Sequence, residues 1–229
     1  MTGFRTGLKD SLPIMAGYVP IAFAFGVAAV QAGLSPILTT MISAVVFAGG
    51  SQFVLISLLA AGGSVLTVAP TVLLLNARHL LYGRPILKLI GTGERTLPLF
   101  FLAFGLTDEV FATALTKLEG IEPNHREHWY VGLQLGAYLS WIAGTTLGCL
   151  IGSEVLSHFP ALSAGLSFVL PAFFFSLLLT MKRRSAYIPA IVAAIVTAGL
   201  LLRVSASIAI PLGLVAGAIA GAVHGGQHG

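Results

Sequence analysis

Eight apolar stretches, most about twenty residues long, follow one another with little between them. They cover residues 12–32, 36–61, 65–83, 97–116, 130–151, 162–181, 186–202 and 205–223. A helix needs about 20 apolar residues to cross a hydrocarbon core, and only closed backbone structures survive there. The runs are too continuous for the short alternating strands of a membrane barrel. The expectation is an all-α polytopic membrane protein with about 6–8 membrane segments, in a single domain over 1–229. Charged residues make up 9% of the chain, too few to cover the surface of a soluble domain of this size. That excludes a cytosolic enzyme and a disordered chain. The net charge of +4 is scattered between apolar runs with no basic stripe, which argues against nucleic acid as a partner. Cys149 stands alone and reads as a small packing residue. The basic N-terminus and the run from Leu12 read as a retained first helix rather than a leader.

Two runs are interrupted. Gly49-Gly50-Ser51-Gln52 stops one run before Phe53 resumes it, and Pro171 falls inside another. A shift of about 121 residues sets Phe47 over Phe168 and Gly50 over Pro171, which suggests repeats near 12–90 and 130–203. Each repeat would carry an interrupted or re-entrant helix, near 49–52 and near 171. If every run crosses, Arg84, Lys88, Arg95 and Arg203 lie outside; if the two interrupted runs turn back, Lys117, Arg126 and Arg203 do. The second scheme makes the halves antiparallel. Both place the termini in the cytoplasm.

The polar groups inside the runs are few. Asn76, His79 and Gly83 share one face of a continuous helix, and Arg78 and Tyr82 another. Asp108 and Glu109 form the acidic pair embedded in a run. Arg78 either snorkels, pairs with Asp108 to hold the bundle, or belongs to a pathway with His79. Asp108 is suited to carry a proton or hold an ammonium. The break at Gly49–Gln52 exposes N–H groups at a helix start, which suits a carboxylate; close helix packing is the alternative. Substrate binding is assigned to Gly49, Gly50, Ser51, Gln52, Phe53, Asn76 and Pro171, and the proton pathway to Asp108, Glu109, Arg78 and His79. Gly132, Gly136, Gly144 and Gly148 read as a packing face. Gly213, Gly217 and Gly221 offer an interface to a partner, and a homo-oligomer stays open. No cofactor, metal ligand set or nucleotide loop is evident. An intramembrane hydrolase built on Ser51 and His79 lacks an elbow motif and a third partner.

The stretches Ala48–Phe53, Asn76–Gly83 and Leu106–Ala112 resemble the AzlC family, as does Gly132–Trp141 with Gly144-Thr145 after it. The resemblance runs over nearly the whole chain. It implies an inner-membrane permease exporting valine, leucine, isoleucine and methionine, with a small hydrophobic AzlD-type membrane subunit as partner. Relatives often carry an acidic residue just before the phenylalanine of the second break, where this chain has Ser167 before Phe168. An uptake permease for another small apolar metabolite is the runner-up.

Overall fold

The computed structural model describes residues 2–91, 97–159, 161, 164–165, 168 and 187–225. All regular elements among them are helical. They are α1 (Thr2–Asp10), α2 (Leu12–Gln31), α3 (Pro36–Val45), α4 (Gly49–Ala60), α5 (Val65–Asn76) and α6 (His79–Ile90). There follow α7 (Leu99–Ala103), α8 (Asp108–Lys117), two 3₁₀ turns at Leu118–Gly120 and Pro123–His125, α9 (Arg126–His158), α10 (Tyr187–Leu201) and α11 (Ala206–Gly225). Among the described residues, three stretches are long and apolar enough to cross a membrane: Leu12–Gln31, Val65–Ile90 and Pro123–Gly152. Shorter apolar helices accompany them. Leucines and isoleucines such as Ile37, Leu66 and Leu80 stand more than three-quarters exposed, as a lipid-facing surface requires.

The chain divides into two compact units. The first holds Met1–Phe53 and Leu75–Pro160, and the second Val54–Leu74 and Ala161–Gly229. Within the second, α10 and α11 pack antiparallel. A Cβ on Gly213 would fall 1.9 Å from Thr197 Oγ1, and one on Gly217 would lie 2.7 Å from the Pro189 carbonyl. The glycine face of α11 is therefore taken by α10, not left free for a partner as the spacing suggested.

In the first unit α9 is the axis. It has 33 residues, about 50 Å of rise. α1 and α2 lie along it in the same direction: Gly7 backs onto Trp129, Gly26 onto Thr145, and Gly148 onto Phe23. Ser11 joins α1 to α2 by helical hydrogen bonds on both sides. The glycines of α9 make this approach possible, as their spacing indicated. α2 and α9 open the two expected repeats, and they run parallel. The antiparallel halves of the re-entrant scheme are thus not what these helices form. Pro171, with residues 169–186 of the second repeat, lies outside the described residues.

α3 and α4 form a hairpin that turns back. α3 starts near the C-terminal end of α9 and descends, with Thr40 at Thr146 and the Ala44 carbonyl at Tyr138. α4 starts at Trp141, and its Phe53 meets Phe25, whose neighbour Gly26 lies at Thr145. The chain leaves toward the end it came from. Ser35 caps α3 by accepting from Leu38 N–H at 3.2 Å. Gly33 ends α2 with φ +89°, a conformation only glycine adopts without strain.

Segment 97–116, expected to cross, is a second hairpin of opposite sense. Leu97 N–H donates to Glu127 at 2.9 Å, near the start of α9. The Leu102 carbonyl accepts from Gln134 at 3.0 Å, one level higher. The chain then breaks at Phe104–Thr107 and α8 returns, ending with Lys117 paired to Asp10, which also accepts from Trp129. Thr107 caps α8, and Asp108 and Glu109 fill its first turn, where the helix dipole favours acids. α6 descends beside α8 until its Leu89 carbonyl accepts from Arg126 Nη1 at 2.8 Å. Both expected topologies need correction. Lys88, Lys117 and Arg126 lie at one end, together with the N-terminal helix.

Asp10 at that end is an acid-sensitive tie. Burial raises its carboxyl, but hydrogen bonds from Lys117 and Trp129 outweigh this and hold it below the ordinary carboxylate range. A depressed folded pKa means stabilisation that is present above the unfolded value and lost as pH falls through the folded one. Because Lys117 is half-exposed, screening keeps the effect under about 1 kcal/mol. Asp10→Asn should lower the melting temperature slightly at pH 7, and the gap to wild type should close below about pH 4.

Candidate functional site

The two hairpin tips meet beside the middle of α9. At the first tip α3 ends at Val45, with Val46 as its cap, and Gly49–Gln52 are the first turn of α4. The carbonyls freed by the break find partners. Ala44 accepts from the Tyr138 hydroxyl at 2.8 Å, and Val46 accepts from the Gln52 side-chain amide. Gln52 Oε1 in turn accepts from Trp141 Nε1 at 3.0 Å. Ser51 donates to the Ala48 carbonyl at 2.9 Å. Ser51 and Gln52 are buried, and their polar atoms hold the break in shape. They are not the free donors their position suggested. The Ser51 hydroxyl is also not set up as a nucleophile. Gly49 faces Trp141, where a Cβ would come within 2.5 Å of the indole. Phe53 is buried edge-on against Phe25.

Gln52→Leu should be costly for this reason. It leaves the Trp141 N–H buried without its partner and takes one of two hydrogen bonds from the Val46 carbonyl, which keeps the Ala48 N–H at 2.8 Å. A loss of about 2–3 kcal/mol is expected in thermal melts of the detergent-solubilised chain. Ser51→Ala, which removes one local bond, should cost about 1 kcal/mol.

At the second tip the side chains carry charge. Asp108 Oδ2 lies 2.8 Å from Arg78 Nη2, and its other oxygen accepts from the Tyr82 hydroxyl. The Tyr82 ring stacks on Phe111 at 4.3 Å. Glu109 points elsewhere, as adjacent helical positions must. Its Oε2 lies 2.5 Å from the Tyr18 hydroxyl, which is also 2.7 Å from Thr107 Oγ1. With one proton, Tyr18 donates to the carboxylate and accepts from Thr107.

Arg78 and His79 do not lie within a continuous helix. α5 ends at Asn76 and α6 begins at His79, so the expected shared face of Asn76, His79 and Gly83 is interrupted at Ala77-Arg78. The His79 ring lies 5.6 Å from Tyr82. Asn76 Oδ1 and Arg78 Nε are buried with no hydrogen-bond partner among the described residues. Arg78 and Asp108 remain 40% and 33% exposed, so the pair is reachable. Pro171 lies outside the described residues.

An aromatic cluster ties the tips together. Phe47 of the first break packs edge-on against Tyr18, Tyr138 and Trp141, and Phe104 of the second packs against Tyr138. Gln134, Tyr138 and Trp141 of α9 thus hold both breaks. The sequence offered a signal for them, since spacing of i, i+4 and i+7 puts three polar-tipped side chains on one face of an apolar helix.

Comparisons with known proteins agree on one family. The family described as AzlC protein matches residues 13–155, which include both hairpins. The inner membrane protein YgaZ of Escherichia coli K12 is 42% identical over 181 residues, 79% of this chain and 74% of its own. A membrane protein of Archaeoglobus fulgidus is 40% identical over 77% of this chain and 74% of its own. The branched-chain amino acid transport protein AzlC of Bacillus subtilis 168 is 31% identical over 80% of this chain and 70% of its own. No solved structure matches. The matched span holds Tyr18, both breaks, the Arg78–Asp108 pair and the supporting face of α9, and the chain belongs to the AzlC family.

Proposed function

We propose that the chain is the large subunit of an inner-membrane exporter of branched-chain amino acids, working with a small AzlD-type membrane partner. The observation that carries this is the meeting of two broken hairpins, from opposite ends, beside an ion pair in mid-bundle. Broken helices put helix ends and charge at one depth, an arrangement that alternating-access carriers use. The Bacillus relative bears the name of a branched-chain amino acid transport protein, which supports the substrate class. The relative named an inner membrane protein supports the location.

The end of the first unit that holds Arg126 and Lys117 also carries Arg5, Lys9 and Lys88. The turn at the other end of this unit, Ala32–Ser35, holds no Lys or Arg. By the positive-inside rule the charged end is cytoplasmic, and the N-terminus with it. Gly49 and Gly50 then open the path from one side, and Asp108 and Glu109 stand at its other edge. Asp108 couples export to protons by alternating between a proton and the substrate ammonium, with Arg78, Tyr82 and His79 around it. One carboxylate that serves both makes the exchange obligatory without a second site.

Counterflow of labelled valine into proteoliposomes containing this chain and its partner tests the proposal. Excess valine inside should drive transient accumulation of label. Absence of counterflow with valine, leucine and isoleucine would sink the reading.

A further inference from the structure

We propose that the gap between α5 and α6 is the seat of a zwitterionic ligand. Arg78 takes its carboxylate, Asp108 with Asn76 Oδ1 takes its ammonium, and its aliphatic chain enters the cavity below. This rests on the amino-acid reading above and places the ligand, which that reading leaves open.

The unmet groups define the ligand. Arg78 Nε is a buried donor and Asn76 Oδ1 a buried acceptor, each without a partner among the described residues. Asn76 stands two residues before Arg78, whose guanidinium also pairs with Asp108. Leaving such atoms unpaired is unfavourable, so a ligand that meets both gains from each. A simple anion at Arg78 would displace Asp108 and leave its charge unpaired. A simple cation at Asp108 would strand Arg78 in the same way. A molecule with carboxylate and ammonium on one carbon replaces the ion pair with both charges matched.

The apolar part lies alongside. A cavity of about 60 Å³ is lined by Gly83, Ile86, Leu102, Leu106 and Tyr130, among others, with no charged residue in its wall. Two of its lining residues, Gly83 and Leu106, stand one residue after Tyr82 and two before Asp108, the two groups that meet at the ion pair. The space is several times what one water needs. A Cβ at Gly83 would meet nothing within 4 Å, so this position sets the room available.

Binding to the purified full chain separates the parts. The probes are L-leucine, 4-methylpentanoate without the ammonium, and 3-methylbutylamine without the carboxylate. L-leucine should bind at least about tenfold more tightly than either analogue, since each lacks a charge-assisted contact. Arg78→Gln should weaken L-leucine and the acid by a similar factor and spare the amine. Asn76→Ala should weaken L-leucine and the amine, spare the acid, and leave the melting temperature unchanged. Gly83→Val should reduce the preference for leucine over alanine within the same variant. Equal loss of both analogues in Arg78→Gln, or unchanged leucine binding in it and in Asn76→Ala, would overturn the placement. Export of valine by those variants at wild-type rates would overturn it while leaving the transport reading intact. A wild-type chain that binds none of the branched-chain amino acids would overturn both.

Discussion

Gly148→Leu should remove the folded protein almost entirely, and Gly148→Ala should lower its melting temperature by roughly 10 °C. The reason is backbone contact. A Cβ at Gly148 would sit 2.2 Å from the Phe23 carbonyl oxygen, and one at Gly26 would sit 2.3 Å from that of Thr145. Neither partner is the flexible end of a side chain, so the helices themselves must separate. Overpacking of this kind costs about 1–3 kcal/mol or more for each methyl group. Separation would also loosen the rings of Tyr18 and Trp141, 5.1 Å apart across the same interface. Gly26→Ala combined with Gly148→Ala should cost less than the sum, because helices already parted accept the second methyl more easily. Gly17→Ala is the control on the same helix. Its Cβ would meet nothing within 4 Å, and the change should be neutral or stabilising by up to about 1 kcal/mol. Thermal melts by tryptophan fluorescence in detergent would measure all four. A Gly148→Ala protein as stable as Gly17→Ala would contradict the close approach.

Local chemistry explains why some of this was legible in the sequence. Glycines four residues apart in α9 and the pair at Gly49-Gly50 each announce a backbone event within a few residues. The Arg78–Asp108 pair was foreseeable because a charge in an apolar run needs an opposite one. The second hairpin was hidden by its own composition. Leu99–Leu106 is apolar throughout, so hydropathy sees no change where α7 ends. The signal was Gly105 followed by Thr107-Asp108-Glu109, a helix-start sequence that reads equally well as an acidic pair in mid-span. Which end Leu97 and Lys117 share depends on Glu127 and Asp10, partners 30 and 107 residues away. No local pattern carries that. Charge counting misassigned the ends because it assumes that every run crosses unless a visible break turns it.

Asp108→Asn should reduce proton-driven valine export about a hundredfold while leaving most of the protein folded. Asparagine keeps the size of aspartate and still accepts from the Tyr82 hydroxyl. It cannot bind a proton at neutral pH, and it offers Arg78 and a substrate ammonium no charge. The structural penalty stays modest because Arg78 is 40% exposed and water can solvate it. The residual transport should no longer respond to an imposed proton gradient, since the alternation between proton and ammonium is gone. Glu109→Gln is the informative comparison. Its amide oxygen can still accept from the Tyr18 hydroxyl, so the link between the two hairpins persists, and export should fall only severalfold. If Asp108 served only to hold α6 against α8, exchanging the charges as Arg78→Asp with Asp108→Arg would restore both stability and transport. If Asp108 works on the substrate and the proton, the exchanged pair restores stability alone, because the carboxylate then sits on the wrong side of the break. Export at the wild-type rate and with wild-type gradient dependence in Asp108→Asn would rule out the coupling role.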